Sequence, residues 1–593
     1  MFTQQAQFDD GSHVGLHDAT ALTIAQSQAV LHRCAIINPC DRPADPALVD
    51  IWGAHRCLRD HILPWRRIGG AVVILTHKPE IFQQQALALT LRYGPVRMAI
   101  TTEQHLFRAI SESHVAALTE RAENRVPDAI SSRTWNARLM LIMSILVVLG
   151  TLVLFAMSPL TGFVVLSFWA VITLATNTVL KAAAAAIVGV FSRPTDADHL
   201  PIAAENLPVF TILIPLYKEK EIAAHLLERV KLIDYPRDRL DVCLVMEADD
   251  ATTRASLRLT NLPSWIRPIA VPKGTLKTKP RALNYALDFA RGTLVGVYDA
   301  EDAPAPDQLR KVARHFANRG EKVACLQGVL DYYNAPANWL TRCFTLEYAG
   351  WFRVVLPGLE RLGLVVPLGG TTLFFRRHVL EKLGAWDAHN VTEDADLGVR
   401  LARRGYRTEL IATTTQEEAN GRFWPWVKQR SRWLKGYAIT YGVHMRDPAK
   451  LYRDLGARRF WGFQILFAGT LSQFVLAPVL WSFWVMPFGF NHPMGHYLQG
   501  WVLISVVAMF IFSELTNMFV LALGVTKAEK MWLIKWIPTM HFYFPMAALA
   551  AYKGFYELTF KPFYWDKTTH GVLLPNKGAG KATGSPARQA SDG

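Results

Sequence analysis

Residues 137–157 read ARLMLIMSILVVLGTLVLFAM, and their only charge, Arg138, sits at one edge. A helix that is apolar all round needs a lipid or a large core around it, and this one is long enough to cross roughly 30 Å of hydrocarbon. The run predicts a spanning helix, so the rest of the chain has to be divided between two sides of a membrane. A second apolar run, residues 163–180, follows the uncharged pentapeptide SPLTG. Together they predict a transmembrane hairpin over 137–190, with Lys181 placed to snorkel to the interface.

Runs at 461–485 and 501–524 predict two further spans. The segment between them, PFGFNHPMGHYLQG, has no Lys or Arg, whereas VTKAEK after the second is basic. The charge asymmetry puts both termini and residues 191–460 in the cytoplasm. Residues 531–552 are also apolar but are interrupted by Lys535, Pro538, His541 and Pro545, which predicts interfacial helices over 531–571. No charged-then-apolar leader precedes the first run, so that helix is expected to direct insertion. The 51% hydrophobic content of the 593 residues agrees with a membrane protein. A net charge of +15 suits anionic lipid headgroups or nucleic acid, and the spans favour lipid, so no nucleic-acid partner is expected. Six cysteines show no CxxC pair and are expected to be free, buried thiols. Residues 1–45 read as a flexible amino-terminal segment and 576–593 as a disordered tail.

From residue 208 short apolar runs alternate with helical stretches: VFTILIPLY, HLLERVKLI, DVCLVMEADD, IRPIAVP, a helix over 281–290, then LVGVYDAED. This alternation predicts an α/β domain over 207–450 with a doubly wound parallel sheet, whose ligands lie beyond the carboxyl ends of the strands. The acids fall at those ends. Glu247, Asp249 and Asp250 follow one strand, and Asp299, Glu301 and Asp302 follow another. Carboxylates without His or Cys suit a hard octahedral cation, Mg2+ or Mn2+, shared with substrate phosphates. The cation-rich loop PKGTLKTKPR supplies the charge that a phosphate needs. A third group, Thr392-Glu393-Asp394-Ala395-Asp396, precedes the helical LGVRLARRG. It reads either as helix-capping residues or, beside a metal-phosphate site, as a source of a general base.

The stretch 423–436, FWPWVKQRSRWLKG, carries four aromatics and four cations. Helical spacing puts Gln429, Arg432 and Trp433 on one face, where Arg can chelate a diphosphate and Trp can stack on a pyranose. Trp424, Trp426, Lys428 and Lys435 match an amphipathic helix at the headgroups.

In order, EADD (247–250), KPRALN (279–284), DAE (299–301), TED (392–394) and QRSRW (429–433) resemble the motif series of the family 2 glycosyltransferases, in particular the membrane-embedded cellulose, chitin and hyaluronan synthases. Two departures are visible: Glu301 replaces the second acid of DxD, and EADD stands where relatives often have DDG. The resemblance implies a GT-A fold, a nucleotide-diphosphate sugar donor, usually a UDP-sugar, and an inverting displacement. It places Asp299 and Glu301 on Mg2+ or Mn2+, Lys279, Gln429 and Arg432 on the diphosphate, and Glu247 or Asp249 on the base. Asp394 becomes the general base, with Glu393 and Trp433 at the acceptor. The implied enzyme is a multi-pass protein of the bacterial inner membrane that polymerises and secretes a β-linked polysaccharide, with membrane lipids around it. Rivals are a single transfer to a lipid acceptor and an inactive scaffold of a secretion complex. Gln473 and Glu514, near the middles of the last two spans, are expected to line a glycan channel. FYWDKTTHG at 563–571 resembles in position the gating loop of cellulose synthases.

Residues 46–130 predict a small α/β unit: a helix over 48–62, the strand GGAVVILT, a helix over 79–93, the strand VRMAIT, and a helix from Thr102. It resembles the amino-terminal domains of type II secretion ATPases, some of which bind cyclic di-GMP. Arg56, Arg59, Arg66 and Arg67 would suit such a ligand, and docking of a secretion partner is the other reading.

Overall fold

The computed structural model describes residues 15–190, 202–219, 222–258, 262–562 and 564. The tail at 576–593 and, apart from Tyr564, the gating stretch 563–571 lie outside the described residues. The first correction concerns the segment 1–45. A helix occupies Gly15–Leu31, and Ala25 and Ala29 bury against Ile100 of the first domain. The chain then bonds along that domain's edge, where Ile37 N donates to Ile100 O at 2.9 Å.

The first domain is a three-stranded sheet, β1 (Ile62–Ile68), β2 (Ala71–Thr76) and β3 (Val96–Ile100), in that spatial order. β1 and β2 form an antiparallel hairpin, and β3 joins in parallel after the helix Pro79–Tyr93. The single helix expected over 48–62 is two, Pro46–Trp52 and Ala54–Asp60, broken at Gly53 with φ of 95°. β1 was not foreseen because ILPWRRI does not alternate: its first four residues are buried and its last three exposed.

The second domain is built on eight strands: β4 (Phe210–Leu216), β5 (Leu240–Glu247), β6 (Ile266–Val271), β7 (Leu294–Val297), β8 (Ala303–Pro304), β9 (Val323–Tyr332), β10 (Leu373–Arg376) and β11 (Arg407–Glu417). Their spatial order is β6-β5-β4-β7-β10-β9-β11-β8. The first four are parallel, as the alternation predicts. The expectation of an all-parallel sheet is corrected beyond β7, because β10 runs antiparallel to both β7 and β9. The α/β class holds, and the sheet is mixed.

Alternation along the strands divides the core. Phe210, Ile212 and Ile214 of β4, with Val242 and Leu244 of β5, pack on one face against Leu226, Val230, Leu309 and Val312. Leu213, Cys243 and Val245 face the other way, onto Leu283, Ala286 and Leu287 of the helix Lys279–Leu287. That second layer continues without a break into Leu106, Phe107, Ile110, Leu118 and Ala122 of the first domain, so the two domains share one apolar core. All six cysteines are free, four buried and Cys34 and Cys40 half-buried.

Helices Ala137–Met157, Pro159–Val190 and Gly500–Lys527 are long and apolar enough to cross a membrane. The expected span over 461–485 is not one straight helix. Pro448–Val475 and Ala477–Met486 meet at 55°, and they make a fourth crossing only if the bent pair is one span. Pro478, which brings no N–H to the helix ladder, lies at the bend. Lys181 does not snorkel: its Nζ donates to Asn517 Oδ1 at 2.9 Å between two helices. Residues 531–552, expected as interrupted interfacial pieces, form a 3-10 turn at Met531–Thr539 followed by one helix, Met540–Phe560, that runs through Pro545. It lies along the helix Phe423–His444, where a Cβ on Gly554 would come within 2.9 Å of Ser431 O.

Candidate active site

The carboxyl ends of β5, β7, β9 and β11 and the amino end of β10 lie at one edge of the sheet, and the acids collect there. Two residues past β7, Asp299 N donates to Asp302 Oδ2 at 2.8 Å, which folds the DAED turn back on itself. The chain then pairs as β8 with β11, Ala303 opposite Gln416 and Pro304 opposite Thr415. That register brings the next residue of β11, Glu417, to the DAED turn. Burial raises the Glu417 carboxyl well above its ordinary range, and Asp302, Asp299 and Glu301 push it further. Asp302 is raised in the same way, by burial and then by Asp299 and Glu301. Asp302 Oδ1 and Glu417 Oε1 are buried without a hydrogen-bond partner. Crowded, under-neutralised oxygens with no nitrogen or sulfur among them fit a hard divalent cation. Glu417 was not foreseen, because TTTQEEANGR has no hydrophobic pattern that announces a strand end.

Lys279 opens its helix at the same edge, with Thr278 as its N-cap. Its Nζ donates to Asp299 Oδ1 and to Gly370 O at 2.8 Å. Burial opposes the ammonium charge, but Asp299, Glu393 and Asp394 outweigh it and hold the pKa above the ordinary lysine value. Gly370 also marks how near Asp394 lies. A Cβ there would sit 3.5 Å from Asp394 Oδ2 and 3.9 Å from Lys279 Nζ. Thr371 Oγ1 donates to Asp302, and Thr372 follows at φ 57°, a strained conformation for a β-branched residue. The strained turn aims this strip of backbone into the acids.

Asp394 stands in the first turn of the helix Glu393–Arg403. The expected capping by Thr392 is corrected, since its side chain makes no cap bond and instead faces Gly436, where a Cβ would come within 2.3 Å of Thr392 Cγ2. Asp394 Oδ1 accepts from Ala395 N at 2.7 Å instead. Burial pushes the Asp394 carboxyl up to about 6, against the pull of that amide and of Lys279. Glu393 is raised as well, by burial first and then by Asp394.

The residues expected on the donor side are tied down. Glu247, the last residue of β5, accepts from Arg281 at 3.1 and 3.3 Å, and Asp249 pairs with Lys277. Gln429 Oε1 accepts from Asn420 at 2.8 Å. Trp433 is half-buried, with the Phe344 ring 6.0 Å and the Tyr348 ring 6.3 Å away and Arg430 5.2 Å from its own ring. Arg430 in turn is held by both oxygens of Glu347 and by Tyr543. Trp424 is exposed, as a headgroup contact requires, but two partners assigned to that role are not. Trp426 is buried and donates to Tyr543 OH at 3.0 Å, and Lys435 is buried on Glu557 at 3.2 Å. In the first domain Arg59 pairs with Asp60 at 2.9 Å, and Arg66 donates to Pro43 O at 2.9 Å. Glu514 meets His541 at 3.5 Å, and no hydrogen bond joins it to Gln473 among the described residues.

Residues 208–436 match the family model described as "Glycosyltransferase like family 2", and residues 32–119 match the MshEN domain. The chain is 27% identical over 248 residues to a probable glycosyltransferase, YdaM, of Bacillus subtilis, covering 40% of this chain and 58% of that protein. It is 27% identical over 301 residues to a beta-monoglucosyldiacylglycerol synthase of Nostoc, covering 50% and 62%. It is 22% identical to a probable glucomannan 4-beta-mannosyltransferase 3 of Oryza sativa, covering 46% and 50%. The chain therefore spans only about half to three fifths of the length of these relatives. Among solved structures it is similar to the mannosyltransferase PcManGT of Pyrobaculum calidifontis, in complex with GDP-Man and Mn2+, at 19% identity and a TM-score of 0.41, over 61% of this chain and 99% of that one. The motif series, the strand-end acids and the family match agree on a family 2 glycosyltransferase domain over residues 208–436, behind a stretch that matches the MshEN domain.

Proposed function

We propose that this protein is an inverting, metal-dependent glycosyltransferase that moves sugar from a nucleotide-diphosphate donor to an acceptor held at the membrane. The observation that carries the reading is the convergence of Asp394, Lys279 and Asp299 around Gly370, which supports their use as base, phosphate-binding cation and metal-binding acid. In the reaction the acceptor oxygen attacks the anomeric carbon as its bond to the diphosphate breaks, and Asp394 takes the hydroxyl proton. Lys279 exchanges Asp299 for the donor phosphates, and Arg432 and Gln429 approach them from the helix Phe423–His444. Trp433 stacks under the acceptor sugar, with Glu393 beside it. Asp299 and Glu301, with Glu417 facing them, would hold Mg2+ or Mn2+, which would supply positive charge against the departing diphosphate. Glu247 and Asp249 border the base.

Repetition of this step would build a β-linked polysaccharide at the bacterial inner membrane, and Gln473 and Glu514 would line its way out. A single transfer to a lipid acceptor is favoured by one observation, the three or four crossings. A bundle of four helices fills its own centre with side chains and leaves little room to wall a glycan from lipid. Product size separates the two: purified enzyme that yields only short glycolipid from labelled donor is not processive. Glu514→Leu tests the path, and polymer export at the wild-type rate contradicts it. The MshEN domain is a candidate site for cyclic di-GMP or a secretion partner.

A further inference from the structure

Glu123 lies on the helix Val115–Asn124, beyond the MshEN match at 32–119 and far ahead of the transferase match at 208–436. Its carboxylate nevertheless reaches the loop between β6 and the helix Lys279–Leu287. Thr275 N donates to Glu123 Oε1 at 2.8 Å, Leu276 N to the same oxygen at 3.3 Å, and Thr275 Oγ1 to Oε2 at 2.6 Å. Arg281 Nε donates to Oε1 at 3.1 Å, and the same guanidinium spans to Glu247 at 3.1 Å. Arg281 has no exposed surface, so its orientation is set by these two carboxylates and by Pro272 O. At Gly274 a Cβ would come within 2.2 Å of Glu123 Oε1, so the loop is drawn tight onto the carboxylate. Although burial works against its charge, the bonds from Thr275, Leu276 and Arg281 hold the Glu123 carboxyl below its ordinary range.

The loop carries the donor-side contacts at its far end. Lys277 pairs with Asp249, and Lys279 pairs with Asp299. We infer that Glu123 is a positioning residue for the donor: through Thr275, Leu276 and Arg281 it fixes the loop that presents Lys277 and Lys279 to the nucleotide diphosphate, and Arg281 extends that hold to Glu247 at the end of β5. The inference rests on the transferase reading of the cleft. It makes the amino-terminal domain a working part of the donor site. Leu118 and Ala122 of the Glu123 helix belong to the core shared by both domains, so a displacement of that domain reaches the loop without crossing the membrane.

The test uses full-length protein in detergent and measures equilibrium binding of UDP and of GDP with Mn2+, together with donor KM and kcat. Glu123→Gln keeps the size and removes the charge. The dissociation constant and donor KM are expected to rise about tenfold, with kcat at saturation within about twofold. Thr275→Val removes one bond to Glu123 without touching Arg281, and is expected to move the same two constants by a smaller factor. It also keeps the inference testable should Glu123→Gln not fold. Unchanged binding in a folded variant, or a fall in kcat at unchanged KM, overturns the inference. Failure of the wild type to bind either nucleoside diphosphate overturns the donor-site reading itself, and this inference with it.

Discussion

At the scale of single residues the account depends on Asp394. A base must be ionised to take a proton, and burial holds this carboxyl up to about 6, above the ordinary aspartate value. Activity is therefore expected to rise with pH through about 6 and to be lost in acid below it, which a pH–rate profile of kcat/KM reads directly. Asp394→Asn is expected to lower kcat by about 10²–10⁴-fold while donor binding persists. That Asp299, Lys279 and Asp394 lie together was legible in the sequence, because strand ends and motif order mark them. Glu417 was not, since only the pairing of β8 with β11 brings it to the acids, and that register has no local signature. Trp426 and Lys435 show the opposite error. An aromatic and a cation on an amphipathic stretch read as lipid contacts, but Tyr543 and Glu557, more than a hundred residues on, bury them. Glu417→Gln is expected to weaken Mn2+ activation by about 10–100-fold, measured as the metal concentration for half-maximal rate.

At the scale of elements, the packing of the helix Phe423–His444 on the turn before the helix Glu393–Arg403 decides where Asp394 sits. Gly436 touches Thr392 so closely that any side chain there must push the turn away. Gly436→Ala is expected to destabilise by about 1–3 kcal/mol and to lower kcat, and trimming its neighbour in Gly436→Ala/Thr392→Ala should recover part of both. Melting temperature and turnover of the two variants check this. The alternation of short strands and helices made β4 to β7 legible, because parallel strands buried on both faces leave continuous apolar runs. The mixed half of the sheet was hidden. β10 is only four residues long, and β9 and β11 are separated in the chain by several helices as well as by β10. Hydropathy located the apolar segments but not the bend between Pro448–Val475 and Ala477–Met486, which depends on how Pro478 is accommodated.

At the scale of the molecule, the amino-terminal domain, the transferase domain and the apolar helices form one continuous construction. One core joins the first domain to the sheet, and the helix with Gln429, Arg432 and Trp433 lies between the acids and the helix Met540–Phe560. Composition foretold helices long and apolar enough to cross a membrane, and the motif order foretold the reaction class. The shared core was not foreseen, since nothing local distinguishes a surface that buries against its own chain from one that receives a partner. The central claim is sugar transfer from a nucleotide-diphosphate donor with Asp394 as base. It is tested most directly by incubating purified protein with Mn2+ and a panel of labelled UDP- and GDP-sugars, beside Asp394→Asn. The account predicts that the wild type moves label from one of these donors onto a membrane-extractable acceptor or glycan, and that Asp394→Asn binds the same nucleotide but transfers nothing above background. Consumption of no donor by the wild type, or undiminished transfer by the variant, would contradict it.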